Sequence, residues 1–116
     1  MAAIPVATYR VQLQPGFGFN EVSHILGYLA DLGISHLYAS PYFQAAPGST
    51  HGYDVVDHVK VNTELGGAPG LEMLCRELSR KAMGQILDIV PNHMSISSAD
   101  NAWWWDVLEN GQSSPY

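Results

Sequence analysis

Two short stretches carry most of the side chains able to do chemistry. The first is Asp88-Ile89-Val90-Pro91-Asn92-His93, where an apolar run gives way to a proline, an amide and an imidazole. The second is His51-Gly52-Tyr53-Asp54-Val55-Val56-Asp57-His58, the densest polar cluster of the chain. Two His and two Asp beside a Tyr could ligate a metal, but their spacing fits no closed zinc pattern and the usual Cys or Glu partners are missing. Neither a metal nor any other cofactor is therefore expected. Sugar recognition suits the set better. A sugar offers an apolar face to an aromatic ring and a rim of hydroxyls that both donate and accept, and Tyr, carboxylate and imidazole meet both needs. The plainer alternative is that Asp88 and His93 satisfy one another or nearby backbone at a strand end, and that Asp57 and His58 pin their own loop.

These residues need elements to place them. Gln85 to Val90 is short and β-branched, follows Gly84, and reads as a parallel strand buried on both faces; Pro91 cannot donate to a ladder, so pairing should stop there. A carboxylate at Asp88 inside such a strand would demand a partner. Upstream, Ala7 to Leu13 alternates as a first strand, and Ile34 to Ala39 forms a second that ends at Ser40-Pro41. Between them a helix starts near Asn20 as N-cap, carries Val22, Ile25, Leu26, Leu29 and Leu32 on one stripe, and stops at Gly33. His24 and Asp31 lie off the stripe and read as solvated. The second helix spans about Pro69 to Met83, with Leu71, Leu74, Cys75, Leu78 and Ala82 on one face, a proline in its first turn and Gly84 behind it. From Pro41 to Gly67 runs a polar connection far longer than a usual βα loop, which marks it as functional. After the third strand, Ala102 to Gly111 holds Trp103-Trp104-Trp105.

The order β-α-β-α-β, with long loops after the strands, predicts a parallel sheet, either part of a (β/α)8 barrel or three strands of a doubly wound sheet. No Gly-x-Gly-x-x-Gly follows the first strand, which weakens the nucleotide-binding version. Ligands of both architectures bind at the C-terminal strand ends, where Tyr53 and His93 would lie.

Composition sets the outer bounds. The 116 residues are 47% hydrophobic and 14% charged, ordinary values for a globular domain. A net charge of -6 with only five basic residues argues against nucleic acid, whose backbone is held by clustered Lys and Arg. The single Cys75 reads as a buried free thiol suited to a reducing cytoplasm. No apolar stretch approaches a membrane span, and Met1-Ala2-Ala3-Ile4-Pro5 lacks the marks of a leader, so no membrane association is expected.

The two polar stretches together resemble conserved segments of the α-amylase family, glycoside hydrolase family 13. Thr8-Tyr9-Arg10-Val11-Gln12-Leu13, Pro47 to Asp54, and Trp103-Trp104-Trp105-Asp106-Val107-Leu108-Glu109-Asn110-Gly111 further resemble the branch of that family that rearranges the reducing end of maltooligosaccharides. The resemblance covers about Ala7 to Tyr116. It implies an α/β fold, the first three parallel strands and two helices of a (β/α)8 barrel. It also implies an isomerase that turns a reducing-end α-1,4 linkage into an α,α-1,1 linkage by intramolecular glucosyl transfer. Tyr53 would stack on the sugar, with His51 beside it; Asp54 and His93 would bond its hydroxyls; Asp88 and Asn92 would brace the third strand's end.

The family's nucleophile and general acid come from later strands. A retaining mechanism needs both carboxylates, about 5 to 5.5 Å apart, and a barrel takes about 250 residues. The chain is thus expected to be an N-terminal barrel piece, cut in the loop after strand three, inactive alone and requiring the remainder of the barrel as partner. The alternatives are a piece of another glucan hydrolase or transferase of the family, or a glucan-binding piece without catalysis.

Overall fold

A computed structural model describes residues 4–116, so the first three residues of the stretch read for a leader lie outside it. Strand β1 (Thr8–Val11), helix α1 (Phe19–Asp31), strand β2 (His36–Ala39), helix α2 (Gly67–Arg80) and strand β5 (Gly84–Leu87) follow the expected alternation. Strands β1, β2 and β5 form one parallel sheet in that spatial order. Its register aligns Arg10 with Tyr38 and Ile86, and Val11 with Ala39 and Leu87.

Because successive side chains point to opposite faces, this register sorts the sheet into two surfaces. Val11, Leu37 and Ala39 face the helices and are buried with Phe19, Val22, Leu26 and Leu29 of α1 and Leu74 and Leu78 of α2. Thr8, Arg10, His36, Tyr38 and Ile86 occupy the other face, which no helix covers among the described residues. The outcome is half of a layered structure. The radius of gyration is 16.4 Å, well above the roughly 13 Å of a compact chain of about this size. An open arc of barrel wall has that shape.

Several local details differ from the sequence reading. Helix α1 is capped by Gly18, not Asn20, because the Glu21 carboxylate accepts from the Gly18 N–H at 2.8 Å and closes the first turn. That contact also holds the Glu21 carboxyl below the usual carboxylate range. Gly33 does take the left-handed conformation expected of it (φ 92°), but α2 ends differently: Ala82, not Gly84, takes the positive φ, at 53°. Gly84 lies inside β5, where the His36 ring packs against its Cα. Cys75 is half-buried instead of buried, and its sulfur accepts from Gln85 Nε2 at 3.3 Å.

The largest correction concerns residues 41 to 67. This connection is not an irregular loop: it contains an antiparallel hairpin of β3 (Phe43–Ala45) and β4 (Val55–Val61), then a single 3-10 turn at Thr63–Leu65. Register shifts interrupt the pairing on both sides of Gln44, and the nine residues between the strands form the tip that carries His51, Tyr53 and Asp54. A second correction concerns the third strand. Its ladder ends at Leu87, so Asp88 lies just past the pairing, at the mouth of the sheet. The Trp-rich segment forms helix α3 (Ala102–Asn110), whose Asn101 side chain accepts from the Trp104 N–H as N-cap.

Candidate functional site

The site is assembled from three strand ends and the hairpin tip. The tip is built around Ser49, which is buried. Its hydroxyl donates to Asp54 Oδ1 and accepts from the Gly52 N–H at 3.0 Å. Gly52 takes φ 81° with the Pro41 carbonyl 3.1 Å from where a Cβ would sit, so this turn admits little else. The turn aims Tyr53 back over the parallel sheet. His51 lies beside it, its Nδ1 accepting from the Tyr53 N–H at 3.0 Å and its ring stacked on the phenol at 6.0 Å and 13°.

Above the sheet, the Tyr53 hydroxyl donates to Asp88 Oδ2 at 2.6 Å and accepts from Arg10 Nη2 at 2.9 Å. Tyr38 also donates to Asp88 Oδ2, at 3.2 Å. Arg10 donates from Nη1 to Gln12 Oε1 at 3.0 Å, and Gln12 Nε2 in turn reaches the Thr50 and His51 carbonyls at 3.2 and 3.0 Å. The Asp88 carboxylate, bonded to the protonated phenol, raises the Tyr53 pKa above the usual phenol range, while Arg10 opposes the rise. The same contact raises the Arg10 pKa, chiefly through the bond to Tyr53.

His93 joins from the segment after β5. Its Nε2 lies 3.1 Å from the Tyr53 carbonyl oxygen and its Nδ1 3.1 Å from Asn92 Oδ1. With His58, Pro91, Asn92, Met94 and Trp103 it lines an open cleft of about 460 Å³. A larger groove, about 520 Å³ between β4 and the start of α2, carries only Lys60 as a charged side chain and none of the site residues.

The structure therefore brings together Tyr53, Asp88, His51, His93 and Asn92. Asp88 and His93 do not satisfy one another; Asp88 is bonded to the Tyr53 hydroxyl, and His93 to backbone, the Tyr53 carbonyl, as the plainer alternative allowed. Asp54 faces its own turn, bonded to Ser49 and 3.8 Å from His51 Nδ1. Asp57 and His58 hold the framework: Asp57 accepts from the Val59 N–H at 2.8 Å, and His58 Nε2 lies 2.9 Å from the Val90 carbonyl oxygen, tying the hairpin to the segment that follows β5. Among the described residues no group of three His, Cys, Asp or Glu side chains converges as metal ligands would. Sequence reasoning missed Arg10, Gln12 and Tyr38. Strand alternation was the available signal, since it puts positions 8, 10 and 12 on one face, with 10 and 12 toward the end where ligands bind.

A half-covered parallel sheet with aromatic, carboxylate and imidazole groups at its C-terminal strand ends has the layout of a (β/α)8 barrel wall with its ligand-binding mouth. The catalytic domain of α-amylases matches residues 18–116, and the chain belongs to that family. A Mycobacterium tuberculosis protein named for maltooligosyl trehalose synthase is 49% identical over the whole chain. The structure of maltooligosyltrehalose synthase from Arthrobacter ramosus superposes on 97% of the chain with TM-score 0.94 and 45% identity. A debranching enzyme from Nostoc punctiforme superposes on 84% of it with TM-score 0.73 and 34% identity. The chain spans only 16%, 15% and 19% of these three proteins, respectively.

Proposed function

We propose that these residues form the N-terminal part of the catalytic barrel of an enzyme that rearranges maltooligosaccharides. It converts their reducing-end α-1,4 linkage to the α,α-1,1 linkage of a trehalose terminus by intramolecular glucosyl transfer. The observation that carries this reading is the meeting of Tyr53, Asp88 and His93 at the strand mouth, in a chain that follows the Arthrobacter ramosus synthase almost throughout. In this reading Tyr53 stacks on the sugar next to the scissile bond with His51 beside it, Asp54 bonds its hydroxyls through the carboxylate oxygen that Ser49 does not hold, His93 does so by exchanging its bond to Asn92 or to the Tyr53 carbonyl for one to the sugar, and Asp88 and Asn92 support them. The nucleophile and the general acid belong to later strands, so residues 1–116 bind and orient one sugar without cleaving it. The substrate is a neutral maltooligosaccharide and not a nucleic acid, as the charge of -6 suggests. Among the described residues no helix is long and apolar enough to cross a membrane. The enzyme works in the reducing cytoplasm, where Cys75 stays free.

The test is direct. The intact protein carrying this segment is incubated with maltopentaose and its products are resolved by chromatography. A nonreducing product with a trehalose end is expected; maltose and glucose alone would assign the segment to a hydrolase of the same family.

A further inference from the structure

We propose that Arg10 is a positioning residue that holds Tyr53 against Asp88 and thereby fixes the ring on which the sugar stacks. The proposal rests on the reading of Tyr53 given above, but Arg10 belongs to no part of the polar stretches that support that reading. Arg10 is the one Lys or Arg at the C-terminal end of the sheet; Lys60 lies on the hairpin, and Arg76, Arg80 and Lys81 lie on or just after α2. Nη1 and Nη2 donate to Gln12 and Tyr53 at 3.0 and 2.9 Å, a two-nitrogen fork that a lysine cannot reproduce. The guanidinium also lies over the Tyr38 ring, 5.8 Å from its centroid, so its own position is set by a second side chain of the same network.

The direction of the bonds is what makes this a positioning device. Arginine can only donate, so the Tyr53 oxygen must accept from it and the phenolic proton is left to Asp88. The two bonds hold the hydroxyl between the guanidinium and the carboxylate. Among the described residues the one Lys or Arg paired with a carboxylate is Arg80, with Glu77, so Arg10 acts on Asp88 through the Tyr53 oxygen and not by direct pairing. Gln12, held by Arg10, donates to the Thr50 and His51 carbonyls and so fixes the backbone of the same turn. One strand end therefore grips the hairpin tip at its side chain and at its backbone. Arg10 itself is exposed and outside the apolar core, so replacing it leaves the packing of the fold alone.

The experiment uses the intact protein with Arg10→Met, Arg10→Lys, Tyr53→Phe and the Arg10→Met/Tyr53→Phe double variant. Each is assayed on maltopentaose, and Arg10→Met is crystallised. We expect Arg10→Met to lower kcat/KM by about tenfold to a hundredfold, the range of a hydrogen bond to a charged group. Tyr53→Phe should cost a similar factor and the double variant little more than either alone, because both changes remove the same hydroxyl contact. Arg10→Lys should recover only part. In the Arg10→Met crystal the Tyr53 ring should have left Asp88. A ring that stays at its present distance, or losses that multiply in the double variant, would overturn the proposal. If the parent protein forms no trehalose-ended product, the functional reading fails, and the position of Tyr53 in the Arg10→Met crystal still decides the role of Arg10.

Discussion

Tyr53 and Asp88, 35 residues apart in the chain, meet at 2.6 Å, with the phenol donating and the carboxylate accepting. The contact links the two polar stretches. It joins the hairpin tip to the end of the third strand of the sheet, and it ties the ionisation of the phenol to folding. The carboxylate disfavours loss of the phenolic proton, so the folded pKa of Tyr53 lies above its unfolded value. The sign follows from linkage: the contribution is fully present below the ordinary phenol pKa of about 10 and is lost as pH rises through the folded value.

Asp88→Ala should therefore bring the Tyr53 titration down toward the ordinary range. It should also narrow the stability gap between parent and variant once pH exceeds about 10. Carbon-13-labelled tyrosine spectra, with Tyr53→Phe to assign the signal, measure the first effect, and denaturant titrations across alkaline pH measure the second. An unchanged Tyr53 titration would show that the bond does not persist in solution.

A second prediction concerns two neighbours with opposite signs. Ala82 holds a left-handed backbone conformation (φ 53°) at the end of α2, which costs a side-chain-bearing residue roughly 1 to 2 kcal/mol. Ala82→Gly should stabilise the intact protein by about 0.5 kcal/mol after the greater freedom of glycine in the unfolded chain is deducted. At Gly84 a Cβ would come within 2.5 Å of the His36 ring, which is itself buried. Gly84→Ala should cost about 1 to 3 kcal/mol by overpacking, and His36→Ala in the same molecule should return part of it. Chemical denaturation of the four proteins measures both signs.

The contrast at these two positions shows what a sequence can say. Three parallel strands and two helices were legible because their apolar stripes are long and bounded by proline and glycine. The left-handed residue after α2 was not, because Ala82 carries no mark of its conformation and the glycine two places later served a different purpose, making room for His36. The hairpin escaped notice for another reason. β4 alternates only over Val59-Lys60-Val61, with Asp57 and His58 adjacent and polar before it, while β3 has three residues and is split by register shifts. The site residues themselves stood out as unusual polar groups at strand ends. Arg10 did not, since one exposed arginine in a strand looks like any other until its partners are known.

Removed from any further barrel, the chain should not behave as a well-folded monomer. Strands β1 and β5 are both edges, and Leu87, Ile89, Ile96 and Leu108 are exposed. Size-exclusion chromatography of residues 1–116 should show self-association that grows with concentration, and the sample should bind a hydrophobic dye. It should leave maltopentaose unchanged. A monomer with one sharp thermal transition would instead identify a self-sufficient domain.

The last prediction separates site from scaffold in the intact protein. His93 lies with Nε2 3.1 Å from the Tyr53 carbonyl, so it supports the backbone of Tyr53 while its ring lines the cleft that includes Trp103. Tyr53→Ala and His93→Ala should each lower turnover on maltopentaose by roughly a hundredfold or more, the scale seen when a preorganised donor in an active site is deleted. Loss of the Tyr53 ring should raise KM as well, since stacking acts on binding and on orientation. His24→Ala changes an exposed helical side chain and should stay within about 0.5 kcal/mol of the parent in stability. Cys75→Ser keeps an acceptor for Gln85 and should leave turnover near the parent value. His93→Gln retains a side-chain N–H donor; recovery of part of the lost turnover there, with none in His93→Ala, would mark the bond to the Tyr53 carbonyl as what the reaction requires. Parent-like turnover in a folded Tyr53→Ala or His93→Ala protein would reduce the strand-mouth cluster to a structural brace.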